Sequence, residues 1–276
     1  MLPERAGLGL RDPFLDQILD ERPEIAWLEV HTENFFAAPR LDVLCRIRET
    51  YPVSLHGVAL GLGNARGPDS VLLEQLRALV KIVEPEIVSE HCSWNRGQQG
   101  VLHDLLPMPP VRAALERMVA SVHQVQEVLG RVIAVENVSR YLSCQQLQEG
   151  WPSEEWLTEA ELLSELVRRT DCLLLLDVNN IEVNRLNHQE NPYRVLDHLP
   201  LSSVAEVHIA GYSEEPGGRF VDTHGSAVSE PVWELLQYLL ERIGPRPVLL
   251  ERDTDIPALE VLLQEVDRAD RLLRSA

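Results

Sequence analysis

Apolar residues gather along this chain in short runs, separated by longer segments in which they recur at helical spacing. Eight runs read as strands: residues 7–10, 25–30, 53–58, 87–91, 132–138, 173–178, 204–209 and 248–251. They are nearly continuous in apolar residues, the pattern of strands covered on both faces, as in a parallel sheet wrapped by helices. Between them, residues 69–84, 111–129, 154–167, 231–243 and 256–273 carry the helical period. Asp12-Pro13 offers an N-cap and first-turn proline for the first helix, and Ser229 stands just before Pro231 at the start of another. The turn-like stretches at 95–100 and 214–219 both fall inside strand-to-helix connections.

Eight strand-plus-helix units over 276 residues average about 34 residues each, the size of a βα unit with modest loops. The expected fold is an α/β TIM barrel, (β/α)8, with residues 1–276 forming a single domain. A doubly wound open sheet is the alternative. The count of eight, and the lack of a glycine-rich phosphate loop after the first strand, favour the closed barrel.

Charge narrows the partners. Twenty-five basic residues against 44 acidic ones give a net charge of −19, which disfavours nucleic acid, whose binding rests on neutralising phosphates. No apolar run approaches the ~18 residues that span a bilayer, and the first residues lack the pattern of a secretory signal. Cys45, Cys92, Cys144 and Cys172 are scattered, with no CxxC pair, as suits reduced thiols in a cytoplasmic protein.

The polar residues sit where a barrel would do chemistry. Consecutive strands end in or near His56, His91, Glu136, Asp177, His208 and Glu251, and in a parallel barrel these ends meet at one face. Any one of them alone reads as an ordinary hydrogen-bonding residue. Three imidazoles and three carboxylates in one mouth are another matter, because crowded carboxylates repel and divalent cations resolve the conflict. Mixed nitrogen and oxygen ligands suit iron, manganese or zinc over calcium. Six protein ligands are too many for one catalytic ion, so Glu136, central in the order, is expected to bridge two. Asp222 and His224, after the seventh strand, and Asn180, three residues beyond Asp177, are candidates for a third ion; a loop turn or helix cap is their ordinary reading. Glu136, Asp177, His208 and Glu251 are the expected catalytic set.

Glu29, His31, Glu33, Asn34 and Asn137 are candidates to orient ligands, or else plain structural pairs. His103 and Asp104 are expected at the cleft edge, and His188 either at the mouth or on a turn. His123 and His198 read as surface residues. Cys92 should point away from the side of His91, into ordinary burial. Trp94, Trp151, Trp156 and Trp233 read as packing residues. No GxSxG nucleophile elbow is present.

Several tracts together resemble one family. They are Gly7-Leu8-Gly9-Leu10-Arg11, the run from Trp27 through Glu29, His31 and Asn34 to Phe36, Ser54-Leu55-His56-Gly57-Val58, Val88-Ser89-Glu90-His91-Cys92-Ser93-Trp94, and Leu175-Leu176-Asp177-Val178-Asn179-Asn180. His208-Ile209-Ala210-Gly211, Asp222-Thr223-His224-Gly225 and Glu251-Arg252-Asp253 extend the match over nearly the whole chain. On these the chain is similar to the multinuclear non-haem iron-dependent oxidative enzymes. Two places depart from that family's usual pattern: the tract His103-Asp104-Leu105-Leu106-Pro107-Met108-Pro109-Pro110, and Gln189 after Asn187-His188.

The resemblance implies a xylose-isomerase-like barrel with two or three irons of mixed ferrous and ferric state, and dioxygen as co-substrate. It implies oxidation of a cysteine in a ribosomally made precursor peptide, with outcomes in the family that include oxazolone with thioamide, thiooxazole and excision of the cysteine β-carbon. It also implies a separate leader-recognising partner protein, in a heterodimer. Rival readings on the same barrel are a zinc phosphodiesterase of the apurinic-site endonuclease type and a sugar isomerase. A protein that only sequesters iron is a non-enzymatic third.

Overall fold

A computed structural model of the chain describes residues 1–97 and 100–276, with His103 described by its backbone alone. Eight parallel strands close a barrel: β1 (Ala6–Gly9), β2 (Leu28–His31), β3 (Val53–Gly57), β4 (Ile87–His91), β5 (Ala134–Glu136), β6 (Leu173–Asp177), β7 (Val204–Ile209) and β8 (Val248–Leu250). Each pairs with its sequence neighbours, and β8 closes on β1 through Ala6 opposite Val248 and Leu8 opposite Leu250. Each of the eight expected strands is present at its expected place.

Alternation along the strands divides their residues between two surroundings. Leu8, Leu28, Val30, Val53, Leu55, Val88, Val135, Leu174, Leu176, Val207, Ile209, Val248 and Leu250 belong to the main apolar core shared with the helices. The residues between them face the barrel axis. At the amino-terminal end of the axis, Trp27 and Leu249 pack with Leu2 and seal the bottom. Gly7 makes room for this plug, since a Cβ there would overlap the Trp27 ring.

Helices α1 (Leu15–Glu21), α2 (Arg40–Arg48), α3 (Ser70–Val83), α4 (Arg112–Leu129), α5 (Glu159–Thr170), α6 (Val178–His188), α7 (Glu230–Ile243) and α8 (Leu259–Ser275) follow the strands in turn. Asp69 caps α3, accepting from the backbone N–H groups of Val71 and Leu72 at 2.9 and 3.2 Å. Two expected helix starts shift. The helical period read from residue 154 becomes a helix only at Glu159, because Thr158 and Glu161 form a reciprocal capping box there. Asp12-Pro13 opens a 3-10 turn (Asp12–Phe14) with Arg11 at the N-cap, and α1 proper begins three residues later than Asp12. Ser229 is the N-cap of α7, without a side-chain hydrogen bond.

After β4 the chain leaves the barrel in a hairpin, Ser93–Gly97 against Gly100–Pro107, that stands at the mouth. A smaller hairpin, Ser213–Glu214 against Phe220–Val221, follows β7. The turn-like stretches expected at 95–100 and 214–219 coincide with these two, residues 98 and 99 lying outside the described part. Among the described residues no helix is long and apolar enough to cross a membrane.

Candidate metal centre

The carboxyl ends of the strands surround a cavity of about 280 Å3 lined by residues that include His56, His91, Glu136, Asn180, Asp222, His224 and Glu251. His56 and His91 are fixed from behind. His56 Nδ1 lies 2.8 Å from Ser89 Oγ, and His91 Nδ1 lies 3.0 Å from the Gly57 carbonyl. Their Nε2 atoms are 3.3 Å apart, and each is 3.1 Å from Glu136 Oε2. Ligands held about 2.1 Å from one ion stand about 3.0–3.4 Å from each other in octahedral or tetrahedral geometry, so this trio is spaced as a ligand set.

The other oxygen of Glu136 faces across the barrel, with Oε1 4.0 Å from His208 Nδ1. Glu136, Asp177 and His208 form a second cluster of converging ligand atoms, and Asp177, His224 and Glu251 a third. His208 Nδ1 lies 2.9 Å from Glu251 Oε2, and His224 Nδ1 lies 3.6 Å from the same oxygen.

Asp177 owes its pose to the junction where β6 runs straight into α6. It is the N-cap of that helix, accepting from the Asn180 N–H at 2.5 Å through Oδ1, which leaves Oδ2 buried and without a partner. Asn137 braces the junction, accepting from the Asp177 N–H and donating to the Asp177 carbonyl, both at 2.9 Å. Asn180 donates to the Asn137 carbonyl at 3.1 Å, and its Oδ1 is likewise buried and unpartnered. Glu136 Oε2 and His224 Nε2 are further buried atoms with no hydrogen bond. His224 Nε2 stands 2.8 Å from Asp222 Oδ1, an ion-pair contact of poor hydrogen-bond geometry. The backbone of His224 is left-handed, with φ of 49°, a sparsely populated conformation for a residue of this kind. Buried polar atoms left without partners cost roughly 1–3 kcal/mol each, and a shared cation offsets that cost.

The charges of the protein groups alone tell the same story. Burial pulls the His56 imidazole down, but Glu29 and Glu136 outweigh it and raise its pKa to about 10. Burial pushes Glu136 up, and His91 and His56 reverse that, lowering it to about 2. Asp177 is raised well above the carboxylate range, first by burial and then by Asp222 and Glu136. A centre whose carboxylates hold the His56, His208 and His224 imidazoles as cations, and whose crowding keeps the Asp177 carboxyl neutral, has the electrostatics of a cation site.

Deeper on the axis lies a layer the sequence reading largely missed. Glu29 and Glu206 are both fully buried, 3.4 and 3.3 Å from His208 Nε2. Burial and Glu29 raise Glu206 to about 8, and Ser54 donates to its Oε2 at 3.2 Å. Glu206 was legible in principle, two positions before His208 and so on the same side of β7.

Arg11 is the other omission. Its guanidinium pairs with Asp253, lies 3.0 Å from His31 Nε2 and donates to Glu251 Oε1 at 3.2 Å. His31, Glu251 and Asp253 resemble a ligand trio, but a tethered cation already holds it, so His31 serves Arg11. Glu33 pins the loop after β3, accepting from the Val58 and Ala59 N–H groups at 3.0 and 2.8 Å. Asn34 is exposed, as are His123 and His198. His188, the last residue of α6, is neither at the mouth nor on a turn: its Nε2 lies 2.8 Å from the Arg140 carbonyl, and it does not line the cavity. Asp104 does line the cavity, while the side chain of His103 lies outside the described residues. Cys92 is buried in the main core, away from the histidines, and burial raises its thiol pKa. Trp233 is packed as expected, whereas Trp151 and Trp156 are exposed.

Residues 5–274 match the family described as RiPP precursor modification enzyme MbnB/TglH/ChrH. The chain belongs to this family. Its relatives include a UPF0276 protein of Chromobacterium violaceum, 46% identical over 276 residues that cover 100% of this chain and 97% of the relative. A UPF0276 protein of Vibrio parahaemolyticus is 40% identical over 272 residues, 97% of this chain and 92% of the relative. Two solved structures of low sequence identity speak to the fold alone. A xylose isomerase domain protein of Planctomyces limnophilus has a TM-score of 0.59 at 13% identity, covering 100% of this chain and 95% of that one. Endonuclease IV of Thermus thermophilus has a TM-score of 0.57 at 18% identity, covering 98% of each. The barrel is therefore xylose-isomerase-like, and the family acts on ribosomal precursor peptides.

Proposed function

We propose that the chain is an iron- and dioxygen-dependent oxidoreductase that modifies a cysteine of a ribosomally made precursor peptide. The observation that carries this is the convergence of imidazole and carboxylate atoms, several of them buried without hydrogen-bond partners, on one cavity in a member of a precursor-modifying family. In this reading His56, His91, Glu136, Asp177, His208 and Glu251 hold the cluster, Glu136 bridging through its two oxygens, and Asn180, Asp222 and His224 complete a third position. The donor set suits iron, and bound iron supplies redox chemistry together with affinity for a soft thiolate. The protein's own work is positioning. The Ser89 hydroxyl and the Gly57 carbonyl orient the two histidines, Asn137 locks Asp177, and Arg11 holds one oxygen of Glu251 so that the other faces His208.

The 276 residues work as one barrel domain in the cytoplasm, in keeping with four free cysteines. A second protein recognises the precursor's leader and forms a heterodimer with the barrel. A flexible precursor loses much of its binding energy to ordering, and tethering it near the mouth raises its effective concentration.

The test is reconstitution with iron, dioxygen and a candidate precursor and partner sought among the neighbouring genes, read by mass spectrometry. A mass change that disappears when the peptide cysteine is replaced by alanine supports the reading. Turnover by the barrel alone at the same rate rejects the partner. Full occupancy by zinc without iron-dependent turnover, or cleavage of abasic DNA with no peptide change, rejects the oxidase.

A further inference from the structure

Beside the metal cavity runs a second, larger concavity of about 690 Å3, walled mostly by apolar side chains. The mouth hairpin supplies Trp94 and Leu106, the segment after it Met108, and the connection between β5 and α5 supplies Leu142 and Trp151. Leu142 and Trp151 are 47% and 41% exposed, the kind of uncovered apolar surface that marks a binding groove. Its shape is built in: a Cβ on Gly63 would overlap the sulfur of Met108, so the missing side chain lets Met108 form the floor.

Two features identify the occupant. The groove adjoins the metal cavity: Tyr141 lines both, and in the hairpin Asp104 and Leu105 line the cavity while Leu106 and Pro107 line the groove. Its charge is also opposite to that of the molecule. In a chain of net charge −19, the charged residues on its walls are Arg96 and Arg117, with no carboxylate among the described residues. Arg96 is neutralised by Asp69 at 2.6 Å. Arg117 makes no ion pair among the described residues, and its buried Nε has no hydrogen-bond partner.

We infer that this groove holds a segment of the precursor peptide with apolar side chains and a carboxylate, flanking the residue that enters the metal cavity. The apolar side chains lie against Met108, Leu142 and Trp151, and the carboxylate meets Arg117 in a charge-assisted pair. The inference rests on the peptide-modifying function proposed above and adds a sequence preference to it.

The experiment uses the reconstituted barrel, partner and full-length precursor. Trp151→p-benzoyl-phenylalanine is irradiated with the complex, and steady-state kinetics are measured for Arg117→Glu, Arg117→Gln and Leu142→Asp at unchanged iron content. The expected result is a cross-link from position 151 to the precursor, near its modified residue. Arg117→Glu should raise KM for the precursor about tenfold, the scale of losing one charge-assisted pair, with a smaller rise for Arg117→Gln. Replacing one acidic residue near the modification site by lysine should restore binding to Arg117→Glu. A cross-link to the partner protein or to a second copy of the barrel overturns the inference, as does a KM that stays unchanged in all three variants. In either case the wild-type enzyme still modifies the precursor. Failure of the wild type to modify it at all overturns the proposed function instead.

Discussion

The same eight strands present two unlike surfaces. Leu55 and His56 are neighbours on β3, yet Leu55 packs among the helices and His56 faces two carboxylates on the axis. The outward positions are aliphatic and interchangeable in kind; what they need is volume. The inward positions change character with depth, from Trp27 and Leu249 at the bottom, through Glu29 and Glu206, to the histidines and carboxylates of the mouth. One surface stores the stability of the fold, and the other gives some of it up to hold unpaired charge.

That contrast can be broken at chosen places. Glu136→Ala should be the most damaging inward change, since its two oxygens face two clusters. A loss of turnover on the order of 1000-fold is expected, beyond the roughly 10–100-fold typical of outer partners. Metal analysis should show depleted iron while far-UV circular dichroism stays unchanged; retained iron and turnover would mean that the inward ring is not a ligand set. Leu55→Ala, one residue outward from His56, should do the reverse. It should lower stability by about 2–5 kcal/mol in urea denaturation, with iron per folded chain preserved. Arg11→Met removes the tethered cation beside Glu251 and is expected to weaken iron affinity by about 10–100-fold, read by competition with a chelator. Unchanged affinity would make the Arg11 contact purely structural. Smallest is Thr158→Ala, which removes the capping box of α5 and should cost about 1 kcal/mol with no effect on iron.

The outward surface was legible because burial on both sides leaves strands nearly free of polar residues, and each of the eight could be placed from that alone. The mouth was legible for the complementary reason. His56, His91, Glu136, Asp177, His208 and Glu251 interrupt apolar runs at their carboxyl ends, and all six converge on one region. Less visible were contacts that join distant residues. Arg11 meets Asp253, 242 positions away, and no local pattern announces the pair. The start of α5 was obscured because helical spacing in 154–158 continued upstream of a cap whose chemistry sits at Thr158 and Glu161. Trp151 looks like any packing residue in sequence; only the shape of the mouth shows that nothing in the described chain covers much of its ring.

The apolar plug of Leu2, Trp27 and Leu249 turns the barrel into a cul-de-sac. Among the described residues that end is closed, so the metal cavity is approached from the mouth and traffic there is last in, first out. Under the proposed oxidation, a small oxidant would enter before a peptide stoppers the opening, or slip past it, and a finished peptide would back out before its successor is seated. A product that grips the doorway as firmly as its precursor would therefore throttle turnover, a limit set by geometry at the far end of the barrel from the chemistry.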